Sequence, residues 1–433
     1  MEWSTWVIIF PILLFSIAVF ILLIGPLPRC RGTLLETAYW WLTDDFPVGV
    51  KRTALRICGR RVTQCIGRSV GCFVGTAHPF FQALFMVLFG GGLVIFVCFA
   101  WPEIPGPYLS NTHHIFIPIS IALTLYTYFK CCASDPGRIT DANANLAQRM
   151  FPYDLVLFNP YPCRTCKFIK PARSKHCSLC RTCIAGMDHH CVWINNCVGH
   201  NNIHLFVSFL ASMASMLGYG SWLIFNIFRG FRESAQLDDA WYYDYETRQR
   251  VKVTWFQSYQ MILAEQPFLG ALGILMGLIA PALVIFLGYA FYLIACGATA
   301  NESDKWSDLN AWIEDGGVRW GPVSHANRVF IESSNPNQRI PDRQVVIDEE
   351  VSSSPASDAA AAADTPSTMA EVDSPSQLEG TGPAAAEYGQ ITSLEEVDNL
   401  YDHGWSTNLK YTLFWGPALP ACPDNTLDKT KRD

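Results

Sequence analysis

Charge is scarce in this sequence: Asp, Glu, Lys and Arg make up 16% of its 433 residues, while half are apolar. Soluble domains carry roughly a quarter charged residues, so a soluble globular class is excluded and a membrane protein is implied. Net positive charge is also lacking. The formal charge is −7, with much of the acid near residues 344–396, and this excludes a nucleic-acid binder. The N-terminus has Glu2 where a secretory signal has a basic region, then a long apolar run with Arg29 and Arg31 behind it. It reads as an anchor with its N-terminus outside. No internal repeat is evident. Residues 345–390 lack large apolar side chains at any helical period and are rich in Ala, Ser, Pro and acid, which excludes a packed core there and predicts a disordered insert.

What is present in quantity is long apolar runs. A span needs about 20 apolar residues, and five segments are candidates: about 6–24, 80–101, a shorter one at 114–129, 205–228, and one within Gln266 to Cys296, where the uncharged stretch Gln266 to Asn301 is read as an interfacial lead-in plus one span. The fold class expected is an α-helical multi-pass membrane protein of about five transmembrane helices. The segment from Arg29 to His78 holds eight Lys/Arg against three acids, whereas the loop between spans two and three has none. By the positive-inside rule the former is cytosolic, and alternation puts loop 229–265 in the lumen.

Sixteen cysteines would suggest disulfides in a small secreted domain, but seven lie between Cys163 and Cys197 with histidines interleaved, which reads as metal in a reducing compartment. The segment CRTCKFIKPARSKHCSLCRTCIAGMDHHCVWINNCVG offers ten possible ligands: Cys163, Cys166, His176, Cys177, Cys180, Cys183, His189, His190, Cys191 and Cys197. Zinc takes four in a tetrahedron, and a CxxC step lets two thiolates reach one ion. Two closed sites use eight, leaving two over. The DHHC stretch sets a Cys and a His together beside an Asp, and an Asp favours imidazolium, which in turn lowers the pKa of a nearby thiol. A catalytic dyad or triad on a zinc-built scaffold follows.

The spacing Cx2Cx9HCx2Cx2Cx4DHHCx5C, followed by Gly199, Asn202 and Phe206, resembles the cysteine-rich domain of the DHHC protein S-acyltransferases (palmitoyltransferases). That resemblance implies a catalytic Asp188, His189 and Cys191. It implies one structural zinc ion on Cys163, Cys166, His176 and Cys183 and a second on Cys177, Cys180, His190 and Cys197. It further implies a two-step reaction in which Cys191 takes a fatty acyl group from acyl-CoA and hands it to cysteines of membrane-anchored substrate proteins. Asp135-Pro136-Gly137 resembles the family's DPG motif. Thr299-Ala300-Asn301-Glu302 resembles TTxE, with Ala300 for the second Thr, so any hydroxyl contact from that position is absent. The tail NLYDHGWSTN, with Asn399, Tyr401, Gly404 and Asn408, resembles an element that packs on the transmembrane ends. YDLVLFNPYPCRTC, KPARSKHCSLC, HHCVWINNC and NESDKW resemble the fungal spore-wall-formation subfamily, which implies SNARE substrates and the endoplasmic reticulum. Lys429 and Lys431 stand at the positions of a dilysine retrieval signal.

Lys167, Lys170, Arg173 and Lys175 form a cation cluster suited to the phosphates of acyl-CoA, and equally to anionic headgroups of the lipid bilayer. A RING-like ligase and an inactive zinc scaffold are the competing functions. RING ligands are spread through longer loops, and neither competitor needs a spare Asp-His-Cys group. The chain divides into 1–130 (three spans, with basic loop 25–79), 131–202 (the small cytosolic two-zinc domain), 203–298 (spans four and five), 299–344, the insert 345–390 and an ordered end 391–433. Deleting 350–388 should leave acylation of Cys191 nearly unchanged, because shortening a solvated loop costs little while its ends still reach. Loss of radiolabel from acyl-CoA in that deletion would make the acidic segment part of the working enzyme.

Overall fold

The structure, a computed structural model, describes residues 3–74, 79–244, 248–316, 318–322, 343–347, 389–390, 392–397, 399–416 and 418–419. In hydrocarbon every backbone polar group must be satisfied internally, so the apolar runs become helices. The chain begins with α1 (Trp3–Ile24), α2 (Leu34–Trp40), α3 (Phe46–Val74) and α4 (Phe80–Ile95), the last continuing through tighter and wider turns to Glu103. There follow α5 (His113–Ala133), a short α6 (Ala144–Met150), α7 (Ile203–Ser234), α8 (Trp255–Glu265), α9 (Pro267–Ala295), α10 (Ala300–Glu314) and α11 (Trp405–Lys410).

Among the described residues four helices are long and apolar enough to cross a membrane: Phe80–Glu103, α5, α7 and α9. Helix α1 coincides with the first expected span, and its described apolar part, Phe10–Ile24, is shorter. The last apolar stretch differs from expectation. It is one helix of 29 residues starting at Pro267, whose fixed φ suits a first helical position, and the lead-in is the separate α8 ahead of it. Segment 25–79, expected as a loop, is largely helical in α2 and α3.

Helix α7 packs against both α5 and α9, and α1 lies on α9. Contact between α7 and α9 is close because α9 presents Gly273 and Gly277 one turn apart. A Cβ on Gly273 would come within 2.8 Å of Ile224, and one on Gly277 within 2.9 Å of the Ser221 hydroxyl. Small residues at this spacing let membrane helices approach, and the Ser221 hydroxyl donates across the interface to the Gly273 carbonyl (3.2 Å).

Between α5 and α7 five strands of two or three residues form the base of the site: β1 (Arg138–Ile139), β2 (Lys175–Cys177), β3 (Thr182–Ile184), β4 (His189–Cys191) and β5 (Asn196–Val198). They pair as β1–β3–β2 and as the hairpin β4–β5. A second hairpin, β6 (Trp241–Asp244) and β7 (Gln249–Lys252), lies between α7 and α8. After α10, β8 (Val318–Pro322) is flanked by β9 (Arg343–Ile347) and β10 (Gly389–Gln390), so both ends of the expected insert pair on one strand. Residues 348–388 and the dilysine positions lie outside the described residues.

A helix leaves its last carbonyls without intrahelical partners, and the C-terminal segment supplies them for α9. The Asn408 amide donates to the Ala295 carbonyl (2.9 Å) and Asn399 to the Cys296 carbonyl (3.0 Å). Asn408 also accepts the His403 N–H (3.0 Å), and the Tyr401 hydroxyl donates to the Pro152 carbonyl (2.7 Å). Asn408 is 5% exposed. Replacing it with Ala removes partners from buried groups, at a cost of about 1–3 kcal/mol. The melting temperature of Asn408→Ala in detergent should fall, with activity falling in parallel; wild-type melting would show that the tail does not secure the end of α9.

Candidate active site and metal centres

Two groups of four donors stand ready for metal, Cys163, Cys166, His176 and Cys183, and Cys177, Cys180, His190 and Cys197, with the ligand atoms of each group within 4.8 Å of one another. Tetrahedral zinc with ordinary bond lengths sets S and N about 3.5 Å apart and two S about 3.8 Å apart. In the first group the His176 Nδ1 lies 3.6, 3.4 and 3.8 Å from Cys163, Cys166 and Cys183, and Cys183 is 3.9 Å from Cys166. In the second, His190 Nδ1 lies 3.6, 3.4 and 3.5 Å from Cys177, Cys180 and Cys197. The donor chemistry and spacing fit zinc in both, with no position left for water. Closed four-coordinate sites of this kind hold a fold together.

The two sites are built alike. Each joins a CxxC turn to a His and a Cys that face each other across a strand pair: His176 opposite Cys183 on β2 and β3, His190 opposite Cys197 on β4 and β5. After each CxxC the next residue, Lys167 or Arg181, takes the left-handed conformation (φ 69° and 55°) that closes the turn. Every ligand of the second site follows its counterpart by fourteen residues, so Cx2Cx9Hx6C occurs twice, interleaved. Sequence reading found no repeat because the copies overlap; aligning the segment with itself at that offset is the signal that reveals it.

Strand alternation then separates structure from chemistry. Successive side chains of a strand point to opposite faces, so on β4 His190 turns toward its metal partners while His189 and Cys191 share the other face. His189 Nδ1 pairs with the Asp188 carboxylate at 2.7 Å. Burial opposes the imidazolium, but hydrogen bonds to Asp188 and to the Cys191 side chain outweigh it and raise the pKa of His189 to about 10. Burial likewise pushes the Cys191 thiol up, and its hydrogen bond to His189 more than reverses this, lowering its pKa.

The other oxygen of Asp188 accepts the backbone N–H of Ala300 at 2.6 Å. This answers the missing threonine: in TANE the contact comes from the main chain. That N–H belongs to the first residue of α10, where donors are unpaired and the helix end favours a carboxylate. The helix start is held by a capping box in which Thr299 accepts from Glu302 N–H and the Glu302 carboxylate accepts from Thr299 N–H.

Arg173, expected to meet acyl-CoA, lines the same cleft as Asp188 and His189, and its guanidinium is bonded there to protein groups. Its guanidinium makes a two-point bond to Glu302 (2.7 and 2.6 Å), donates to the Gly297 carbonyl (2.9 Å) and lies 4.6 Å from the Tyr401 ring centre. It is a structural pin, because a fork of donors matched to a carboxylate in a dry setting is committed there. Lys167 and Lys175 are exposed, and Lys170 lies over the Tyr161 ring, bonded to its hydroxyl (2.9 Å).

The hairpin is tied to the membrane end of α5. Asn196 donates to the Ser134 carbonyl (2.8 Å) and reaches those of Cys131 and Cys132 (3.2 and 3.4 Å), while the Tyr128 hydroxyl donates to the Trp193 carbonyl (3.1 Å). Asp135 folds back on the N–H groups of Gly137 and Arg138 (both 3.0 Å), and Gly137 adopts φ 98°, so the Asp-Pro-Gly turn steers the chain from α5 into β1. Cys191 packs against the cluster of Tyr128, Phe206, Phe209 and Leu283. A cleft of about 1450 Å³ opens on Asp188 and His189 and runs along the end of α9 to the C-terminal segment.

Residues 157–307 match the family model described as DHHC palmitoyltransferase. The chain is 32% identical to palmitoyltransferase swf1 of Emericella nidulans, covering 92% of this chain and 94% of that one. It is 33% identical to palmitoyltransferase swf1 of Aspergillus fumigatus, over 79% and 89%. To mouse palmitoyltransferase ZDHHC4 it is 30% identical, over 62% and 79%. The chain belongs to the DHHC palmitoyltransferase family and is a protein S-palmitoyltransferase. Within that family its likeness is to the fungal Swf1 group.

If the two groups hold metal, Cys197→Ser should release one of two zinc ions per chain and lower the melting temperature, since metal binding and folding are coupled. Elemental analysis of the purified variant checks this; full zinc content with normal melting would remove Cys197 from the ligand set.

Proposed function

We propose that Cys191 carries a fatty acyl group, of palmitoyl length by the family's name, only transiently between acyl-CoA and substrate cysteines. The Cys191 thiolate, its proton held on His189, attacks the thioester carbonyl. The bond to the CoA sulfur breaks, and that sulfur takes the proton from His189. A substrate thiol then gives its proton to His189 and attacks the acyl-Cys191 carbonyl, and Cys191 leaves as the thiolate. Asp188 orients the imidazole and stabilises its charge. Zinc supplies folding energy and takes no part in these steps.

The observation that carries this reading is the chain of contacts from Ala300 N–H to Asp188 to His189, with His189 and Cys191 on one strand face. Lys167, Lys170 and Lys175 are the cations left to meet the phosphates of CoA. Membrane-proximal cysteines are the substrates because the hairpin is tied to the end of a span, and the likeness to the fungal subfamily favours SNAREs among them. The excess of Lys and Arg in 29–78 favours a cytosolic active site, and the dilysine positions favour the endoplasmic reticulum.

Incubation with labelled acyl-CoA should give a hydroxylamine-labile label that is absent from Cys191→Ser, with zinc content kept. Ala300→Pro tests the support of Asp188. It deletes one N–H at a position where helices accept proline, so zinc and melting should hold while labelling slows by about tenfold or more. Label persisting in Cys191→Ser would overturn the nucleophile, and wild-type labelling in Ala300→Pro would overturn the role of the backbone contact.

A further inference from the structure

The segment between α1 and α4 has no part in the chemistry above, yet it carries an organised surface. From Phe46 to Cys58, α3 is a regular helix of about 20 Å, ended by Gly59 at φ 74°. Every residue from Phe46 to Arg60 except Ala54 is exposed. Phe46, Val50 and Ile57 are 50%, 51% and 78% exposed, and with Thr53 they follow the i, i+4, i+7, i+11 spacing of a single helix face. A shallow groove runs along this face, with Trp41 at one end and Ile57 at the other.

Cations flank this ridge on both sides. At 100° per residue Lys51 falls to one side and Arg52 and Arg56, one turn apart, to the other, so long stems can lie beside the apolar face with their charges outward. Just ahead, Trp40 and Trp41 are each 53% exposed, and indoles favour the headgroup level of a bilayer. The occupant is set by connectivity. The helix is strung between α1, ending at Ile24, and the span beginning at Phe80, so it cannot leave the membrane surface by more than its connecting residues allow. Arg31 is held by the Ser307 hydroxyl of α10, which ties the start of this segment to the body.

We infer that the first half of α3 lies in the bilayer interface, with Phe46, Val50 and Ile57 among the acyl chains and Lys51, Arg52 and Arg56 on the phosphates of anionic lipids. Apolar burial supplies a lipid-independent part of the binding, and each cation near an anionic surface adds a part that salt removes. Enzyme activity is then free to respond to the anionic lipid content of the membrane through a surface remote in sequence from the zinc domain.

The test is hydrogen exchange of the full-length protein in nanodiscs of phosphatidylcholine, with and without added phosphatidylserine. Amides in 46–58 should exchange on the order of tenfold more slowly with phosphatidylserine, and about 1 M salt should erase that difference. Lys51→Glu/Arg52→Glu/Arg56→Glu should lose the lipid response, while Phe46→Ser/Val50→Ser/Ile57→Ser should exchange quickly in both membranes. Both sets change only exposed residues, so the transmembrane peptides serve as folding controls. Equal exchange in the two lipids, or an unaltered lipid response in the charge-reversed protein, would overturn the inference.

Discussion

The buried pair between Arg173 and Glu302 is the contact on which the arrangement of the site depends. Arg173 belongs to the zinc-ligand segment and Glu302 to the first turn of α10, 129 residues later. Glu302 is 2% exposed, so a charge left there alone would be strongly destabilising, by about 3–5 kcal/mol for a broken buried pair. The same guanidinium holds the Gly297 carbonyl at the end of α9 and stacks near Tyr401 of the C-terminal segment. Zinc-ligand segment, membrane helix and tail therefore meet at one cation. Because Glu302 also completes the capping box with Thr299, the pair fixes where the first N–H of α10 points, and it points at Asp188.

Metal and nucleophile coexist in this domain because a strand has two faces. Ten thiols and imidazoles crowded within 35 residues would compete for zinc if all could reach it. The hairpin of β4 and β5 turns His190 and Cys197 one way and His189 and Cys191 the other, so the closed sites leave Cys191 outside. The same rigid hairpin is fastened by Asn196 to the last carbonyls of α5, which places the thiol at the end of a span. Side-chain amides serve this purpose three times. Asn196 completes α5, and Asn399 and Asn408 complete α9. A helix emerging from hydrocarbon must satisfy its final carbonyls, and the groups that satisfy them are where the polar part of the molecule attaches.

Several features were readable in the residues because they depend on short-range spacing. A CxxC step reaches one ion whatever surrounds it, a run of about 20 apolar residues spans a bilayer, and the Asp188-His189-Cys191 order sets an acid, an imidazole and a thiol side by side. The ligand sets implied by resemblance coincide with the two donor groups in the structure. Reading failed where the partner is far along the chain or carries no side-chain signature. Arg173 looked like one cation among four, since nothing near it in sequence announces Glu302. The loss of threonine at Ala300 suggested a weakened active site, since a backbone N–H is common to nearly every residue and only its direction gives it a role.

The sequence by itself determined the membrane character, the metal donors and the chemistry available to the DHHC stretch, because composition and local spacing act over a few bonds or one element. Tertiary structure alone decided which cation is buried against Glu302, which N–H supports Asp188 and which amides close the ends of α5 and α9. Those choices require segments more than sixty residues apart to come within about 3 Å of one another, and that approach is set by how the helices pack.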